Sequence, residues 1–412
     1  MRGRSDGIAA VVATLGLGPY EETEYFLDEA PETSCREKFA CLALAQLVGS
    51  PALHVVCTME AEERHGSHLD ERCTELGLDL RITRIPTGMS AKELWEIHGR
   101  LMEVLESIPG TGRICIDVTH AFRAQSMIMA IAAAQIAAGE ADGTARIGSV
   151  RYGAFEKDRS RTPLIDLQPL IGLVEGFHAV RQFRDTGDAR RIADMLYGVA
   201  RTAKKSRRQD LEQAAAAVRR ASERILQGLP LEAGIESRIA AERLADLAFP
   251  DLPMHERLAG AAREQLEQIA VGPGRDGQEI VSKRDIRLDG DEIRRELRFG
   301  RMLLDHGHLD KALLVLGEVS QNLRLLERGM TAAWLSRQTR EGVFTAEEKK
   351  SRSPCPDDPV LEFYRKVRDL RNPFGHAGFS AADTPADSST VARLFDDAEK
   401  LLDETERRTA DG

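Results

Sequence analysis

Near its C-terminus the chain reads Arg371-Asn372-Pro373-Phe374-Gly375-His376. These residue types match what breaking an RNA backbone requires. A histidine moves a proton near neutral pH. An arginine stays charged and grips a phosphate with a planar fork. RNA brings its own nucleophile, the 2′-hydroxyl. The protein then needs only a base, an acid and positive charge for the developing phosphorane, and no metal. Asn372 has the donors and acceptor to orient the imidazole or the phosphate. Pro373 and Gly375 suit a turn that directs His376 out of the preceding helix, and Phe374 reads as core rather than as a platform for a base. One chain carries one Arg–His pair, and a symmetric dimer carries two across its axis, which points to a composite site between copies. Taken alone, the pair fits better as two surface cations at a helix end, and the upstream motif shifts that balance.

A second constellation lies upstream. Thr14-Leu15-Gly16-Leu17-Gly18-Pro19-Tyr20 follows a first apolar, β-rich run, and Asp117-Val118-Thr119-His120-Ala121-Phe122-Arg123 follows a fourth. In a doubly wound sheet the first and fourth of these strands are neighbours where the winding reverses, and ligands bind beyond their carboxyl ends. Gly16 and Gly18 let backbone N–H groups approach a ligand closely. Thr119, His120 and Arg123 offer hydroxyl, imidazole and guanidinium donors, with Arg123 at a helix start that favours anions. A phosphate-bearing ligand fits this set. Plainer readings stand beside it: Asp117 as the cap of a strand end, and His120 as a buried structural histidine. A nicotinamide fingerprint is disfavoured, because Glu21 stands where a third glycine belongs and Pro19 intervenes.

Other candidates carry less. His65 and His68 share a helix face but lack a third metal ligand. His306-Gly307-His308 reads as a helix end and turn. The run Arg201, Lys204, Lys205, Arg207 and Arg208 reads as a solvated helix face. The six cysteines form no C-x-x-C pair, which excludes zinc-ribbon and thioredoxin readings and suggests a reduced setting. The net charge of −10 argues against a general polyanion-coating protein. It leaves room for a local nucleic-acid site, since screening confines charge effects to about 10 Å. Arg365, Lys366, Arg368 and Arg371 outweigh Glu362 and Asp369 along one such stretch. No apolar leader and no run of 18 apolar residues occurs, so a soluble, cytoplasmic protein is expected.

The elements that must hold these residues follow from periodicity. Ile8–Leu15, Leu53–Cys57, Leu78–Ile85, Arg113–Val118 and Arg146–Tyr152 predict strands. Helices are predicted over 36–48, up to Gly77, from a Ser90/Glu93 capping box to Ser107, and over 124–138. About 20 residues after the first strand carry no assigned element. The alternation predicts a Rossmann-like, doubly wound parallel sheet over residues 1–168. A helical linker follows over 169–285, broken at the glycine-rich run 272–277. Residues 286–412 predict an all-α bundle with helices over 291–305, 309–328, 360–370 and 391–407. Residues 338–359 read as an exposed loop.

A glycine-rich loop after the first strand, Asp117-x-Thr119-His120-x-x-Arg123 after the fourth, and Arg371-Asn372-x-x-x-His376 near the end together resemble the CRISPR-associated CARF–HEPN ribonucleases of type III systems. Tyr152-Gly153-Ala154, Pro163–Asp166 and Gly187-Asp188 are similar to that family's linking region. The family's frequent small residue or proline after the arginine is replaced here by Ala124-Gln125-Ser126. The resemblance implies a homodimer with CARF-like sensing domains, a helical linker and HEPN-type bundles. It implies that a cyclic oligoadenylate, of four or six units, is the activator and that single-stranded RNA is the substrate. Arg371 and His376 would then be catalytic, with Asn372 in support. Thr14, Gly16, Leu17, Gly18, Tyr20, Asp117, Thr119, His120, Phe122 and Arg123 would line the messenger pocket. A non-catalytic sensor or transcription regulator with a helical dimerisation domain is the competing expectation.

Overall fold

The computed structural model describes residues 7–109, 112–120, 122–138, 146–249, 253–272, 280, 282–346, 348, 355–375 and 387–410. Two compact units divide the chain, Met1–Glu175 and Gly176–Gly412.

In the first unit, eight strands form one sheet in the order β3-β2-β8-β7-β6-β1-β4-β5. They are β1 (Ile8–Leu15), β2 (Thr23–Leu27), β3 (Ala30–Glu37), β4 (Ala52–Cys57), β5 (Asp79–Arg84), β6 (Arg113–Asp117), β7 (Ile147–Gly153) and β8 (Arg161–Asp166). From β5 to β7 the pairing is parallel, as the alternation predicts. The near-continuous apolar run of β1 is that of a strand covered on both faces. Val11, Ala13 and Leu15 face one core with Leu42 and Leu44 of α1 (Ala40–Leu47) and Leu69 of α2 (Met59–Leu76). Ala10 and Val12 face the other with Ile97 and Leu101 of α3 (Ala91–Ser107) and Met129 of α4 (Arg123–Ala138). The β1 and β6 strands pair directly, so the loops after both open at one edge of the sheet. The Ser90/Glu93 signal does start α3: Ser90 Oγ accepts from the Glu93 N–H at 3.2 Å. The Glu93 carboxylate reaches back further than a capping box requires, to the N–H groups of Gly88 (2.9 Å) and Met89 (3.1 Å).

The sheet is mixed rather than wholly parallel. The β8 strand runs antiparallel to β7, β2 runs parallel to β8, and β3 runs antiparallel to β2. The β2–β3 hairpin occupies the stretch after β1 to which periodicity assigned no element. Its outer strand is largely exposed and polar, so no apolar alternation marks it. A buried arginine fastens the hairpin. Arg151 of β7 donates to Asp28 (2.9 Å) and Glu29 (2.7 and 2.5 Å) at the β2–β3 turn. This contact holds the Glu29 carboxyl down at about 2.

The second unit is helical: α5 (Gln168–Thr186, beginning in the first unit), α6 (Arg190–Thr202), α7 (Lys205–Gln227), α8 (Pro230–Ala245), α9 (Pro253–Glu267), α10 (Gly290–Asp305), α11 (Leu309–Glu327), α12 (Arg337–Gly342), α13 (Pro359–Gly375) and α14 (Ser388–Ala410). One core of buried residues runs from Ala179 to Leu402, so residues of the predicted linker share it with α10, α11, α13 and α14. Buried Arg295 of α10 makes one such join. It donates to Glu292 and to the carbonyls of Pro230 (2.9 Å) and Ile269 (3.1 Å). Two elements differ from expectation. Val343 and Phe344 are buried within the stretch read as an exposed loop, because two apolar residues among charges make no period. The α13 helix continues past Leu370 through Gly375, so Arg371, Asn372 and Pro373 lie within its last turns. His376 lies outside the described residues.

Candidate functional site

At the carboxyl edge of the first unit's sheet, a ring cluster holds the loops. Phe39 precedes α1 and has no side chain to cap it, which leaves the Ala40 N–H without a local acceptor. His120, from the loop after β6, supplies one: its Nε2 accepts from Ala40 N at 3.1 Å. The accepting nitrogen is unprotonated, so the proton of the neutral ring sits on Nδ1. Burial and the neighbouring His65 hold the His120 imidazole down at about 4. Tyr20 packs on His120 with ring centroids 4.1 Å apart and on His65 at 4.9 Å.

The glycine loop is tied down by these same groups. The Tyr20 hydroxyl accepts from the Gly16 N–H at 3.0 Å. His65 Nε2 donates to the Gly18 carbonyl at 3.1 Å, and Arg64 Nη1 donates to the Leu17 carbonyl at 2.7 Å. A Cβ on Gly18 would stand 2.9 Å from the Tyr20 ring, so close packing requires a glycine there. His65 therefore serves this loop, and among the described residues no group of three His, Cys, Asp or Glu side chains is placed to hold a metal.

Asp117 ends β6 fully buried, and burial pushes its carboxyl up to about 6. Its Oδ1 accepts from the Thr119 N–H (2.9 Å) and hydroxyl (2.5 Å), while Oδ2 has no partner among the described residues. Thr119 Oγ1 in turn accepts from the Gly153 N–H at 2.8 Å, joining the β6 and β7 loops. Thr14 in β1 and Gln125 in α4 are also buried, with polar atoms that have no partner among the described residues. Among the upstream candidates, the exposed side chains are Leu17, Phe122 and Arg123. Arg123 begins α4, where helix N–H groups favour an anion. A cavity of about 220 Å³ opens beside the cluster, lined in part by Tyr20, Lys38, Thr119, His120, Tyr152 and Phe155. It is large enough for a flat ring, not for a whole dinucleotide. Lys38, Tyr152 and Phe155 carried no sequence signal as lining residues, because separate loops bring them together.

In the second unit, Arg371 and Asn372 sit on α13, half-buried and exposed respectively. The Arg371 guanidinium lies against Gly317 of α11; a Cβ there would come within 3.1 Å of Nη1. Most arginines nearby are spent on carboxylates: Arg324 on Glu327 and Asp358, Arg368 on Asp369, Arg340 on Glu318. Among the described residues Arg371 pairs with no carboxylate, and a guanidinium fork is the group that binds a phosphate in two parallel hydrogen bonds. A polar chain lies below α11. Glu296 Oε2 accepts from Asn322 Nδ2 (2.7 Å), and Asn322 Oδ1 accepts from Arg340 Nη1 (2.9 Å). Burial, with Glu292 nearby, pushes the Glu296 carboxyl up to about 8. Nothing in the sequence pattern marked Glu296 or Asn322, since each is one polar residue in an amphipathic helix.

No protein-family model matches the chain, and no curated protein matches it. Among solved structures, the chain is similar to Enterococcus italicus Csm6 bound to cyclic hexa-2′-fluoro-hexa-dAMP. The identity is 8%, the TM-score is 0.46, and the match covers 98% of this chain and 95% of that one.

Proposed function

We propose that this chain is a cyclic-oligoadenylate-activated endoribonuclease of the CARF–HEPN kind, cutting single-stranded RNA by attack of its own 2′-hydroxyl. The observation that carries the reading is Arg371: a half-buried guanidinium on Gly317, without a carboxylate partner among the described residues. Five positions on stands His376, whose type suits the proton transfer. In this reading Arg371 holds the scissile phosphate and neutralises the phosphorane, His376 transfers the proton, and Asn372 orients one or the other. Two copies of the chain contribute one pair each to a site on their axis. At the first unit, Arg123 and the α4 N-terminus take a phosphate of the messenger, and the cavity beside Tyr20 and Tyr152 takes one of its bases. His120 there is a positioning residue. An activator works only by its preference for the active arrangement, and about 3 kcal/mol of preference gives roughly 150-fold activation.

The test is RNA cleavage with and without cyclic tetra- and hexa-adenylate. Arg371→Ala and His376→Ala are each expected to lower cleavage by roughly 10²–10⁴-fold while messenger binding persists. Cleavage is expected to survive EDTA and to leave 2′,3′-cyclic phosphate ends. Full activity in both variants would remove Arg371 and His376 as the active site, and no cleavage by the wild-type protein with either ring would leave a non-catalytic sensor as the better reading.

A further inference from the structure

The second unit carries an open cavity of about 460 Å³ between α11, α12 and α13. Its lining includes Glu318, Gln321, Arg340, Phe344 and Tyr364. Phe344 is buried, with the Arg324 guanidinium 5.2 Å from its ring centroid. Tyr364 stacks on it at 4.3 Å and 24°, and is itself half-buried. An arginine, a buried ring and a half-exposed ring thus lie in sequence. The Tyr364 hydroxyl has no partner among the described residues. Among the described residues, Gln321 gives its amide only a long 3.5 Å bond, to the Gly317 carbonyl. Charges on the rim are balanced, with Arg340 paired to Glu318 and Arg337 to Glu341. A balanced rim with a ring at its wall suits a flat, polar, uncharged group better than a phosphate.

Position decides what that group is. Gly317, under the Arg371 guanidinium, and Gln321 are one helical turn apart, roughly 6 Å. Tyr364 and Arg371 are two turns apart on α13, roughly 10 Å along its axis. A strand whose phosphate rests on Arg371 can therefore place a nearby base against Tyr364. Proteins recognise single-stranded RNA by stacking splayed bases on aromatic rings and hydrogen-bonding their edges. We infer that this cavity is a nucleobase subsite of the RNA substrate, with Tyr364 stacking the base and Gln321 and Glu318 meeting its polar edge. The inference rests on the RNA-cutting reading and adds the residues that set sequence preference.

The experiment uses the full chain and 2′-fluoro octaribonucleotides, which lack the attacking hydroxyl and so bind without being cut. A single abasic position is moved along the octamer and affinity is read by fluorescence anisotropy. In the wild-type protein one position is expected to cost about tenfold or more, the usual worth of a stacked base. Tyr364→Leu is expected to weaken the intact octamer by a similar factor and to erase the penalty at that position. Tyr364→Phe is expected to restore both, and Gln321→Ala to narrow the difference between bases. If Tyr364→Leu fails to fold, Gln321→Ala decides. Equal affinity for every abasic octamer, or wild-type binding by Tyr364→Leu and Gln321→Ala, overturns the subsite. So does a Tyr364→Leu protein that binds RNA normally but loses self-association, since the cavity then receives a second copy of the chain. Cleavage by Arg371→Ala is read separately. Its loss alongside position-independent binding keeps Arg371 in the cutting site and removes the subsite; its persistence with position-dependent binding keeps the subsite and removes Arg371 from the cutting site.

Discussion

At the scale of single residues, burial sets the chemistry of two titratable groups. His120 is neutral at pH 7 because its enclosed ring accepts a hydrogen bond, and protonation would set N–H against the Ala40 N–H. Its folded value, about 4, lies below the unfolded value near 6.5, so the unfolded chain binds the proton first. The contribution is fully present above about 6.5 and is lost as pH falls through about 4. His120→Ala is expected to cost about 1–3 kcal/mol at pH 7, the penalty of an unpaired buried N–H, and to flatten thermal stability between pH 4 and 6.5. An unchanged acid limb of the melting curve would refute that assignment. Glu296 has the opposite sign. Its carboxyl is held up at about 8 while unfolded glutamate titrates near 4.3, so the fold loses stability as pH rises between those values. Glu296→Gln keeps an acceptor for Asn322 and removes the charge. It is expected to raise stability at pH 8 by on the order of a few kcal/mol and to change little at pH 4. Denaturant titrations at the two pH values check this.

At the scale of elements, close approach is written into glycines. Gly300 of α10 faces Phe395 of α14, and a Cβ there would come within 2.6 Å of a ring carbon of that buried side chain. Gly300→Ala is expected to destabilise by about 1–3 kcal/mol despite alanine's better helix propensity. Phe395→Leu is expected to recover part of that loss in the double variant, and additive losses would show that the two helices do not meet as described. The β2–β3 hairpin depends on a different device. Its outer strand brings little apolar surface, so the Arg151 contacts to Asp28 and Glu29 hold the turn. Arg151→Ala is expected to speed amide exchange in residues 23–37 relative to β1 and β6. Protection equal to wild type would mean that strand pairing alone suffices.

At the scale of the whole molecule, a net charge of −10 leaves RNA only local basic stretches to bind, the one along α13 among them. Binding is then expected to fall only gently with salt, as it does when few phosphates are neutralised. If, as proposed, the site is composite between copies, activity depends on protomer concentration. Specific activity is expected to fall on dilution in step with loss of the dimer seen by sedimentation. Constant specific activity across that dilution would place the whole reaction within one chain.

The amino-acid sequence by itself determined the parallel centre of the sheet, the succession of helices after it, and the two motif positions. It could do so because strand and helix periods and glycine stops are local. Only the tertiary structure decided the rest. It showed that Gly16 and Gly18 serve the packing of Tyr20 and His65, that His120 caps a helix 80 residues upstream, and that β2, β3 and β8 turn the sheet mixed. It also put Tyr364 and Phe344 in one stack at the wall of a cavity. Those facts depend on which surfaces meet across long stretches of chain, and a buried polar group chooses its partner from whatever the packing brings within about 3 Å.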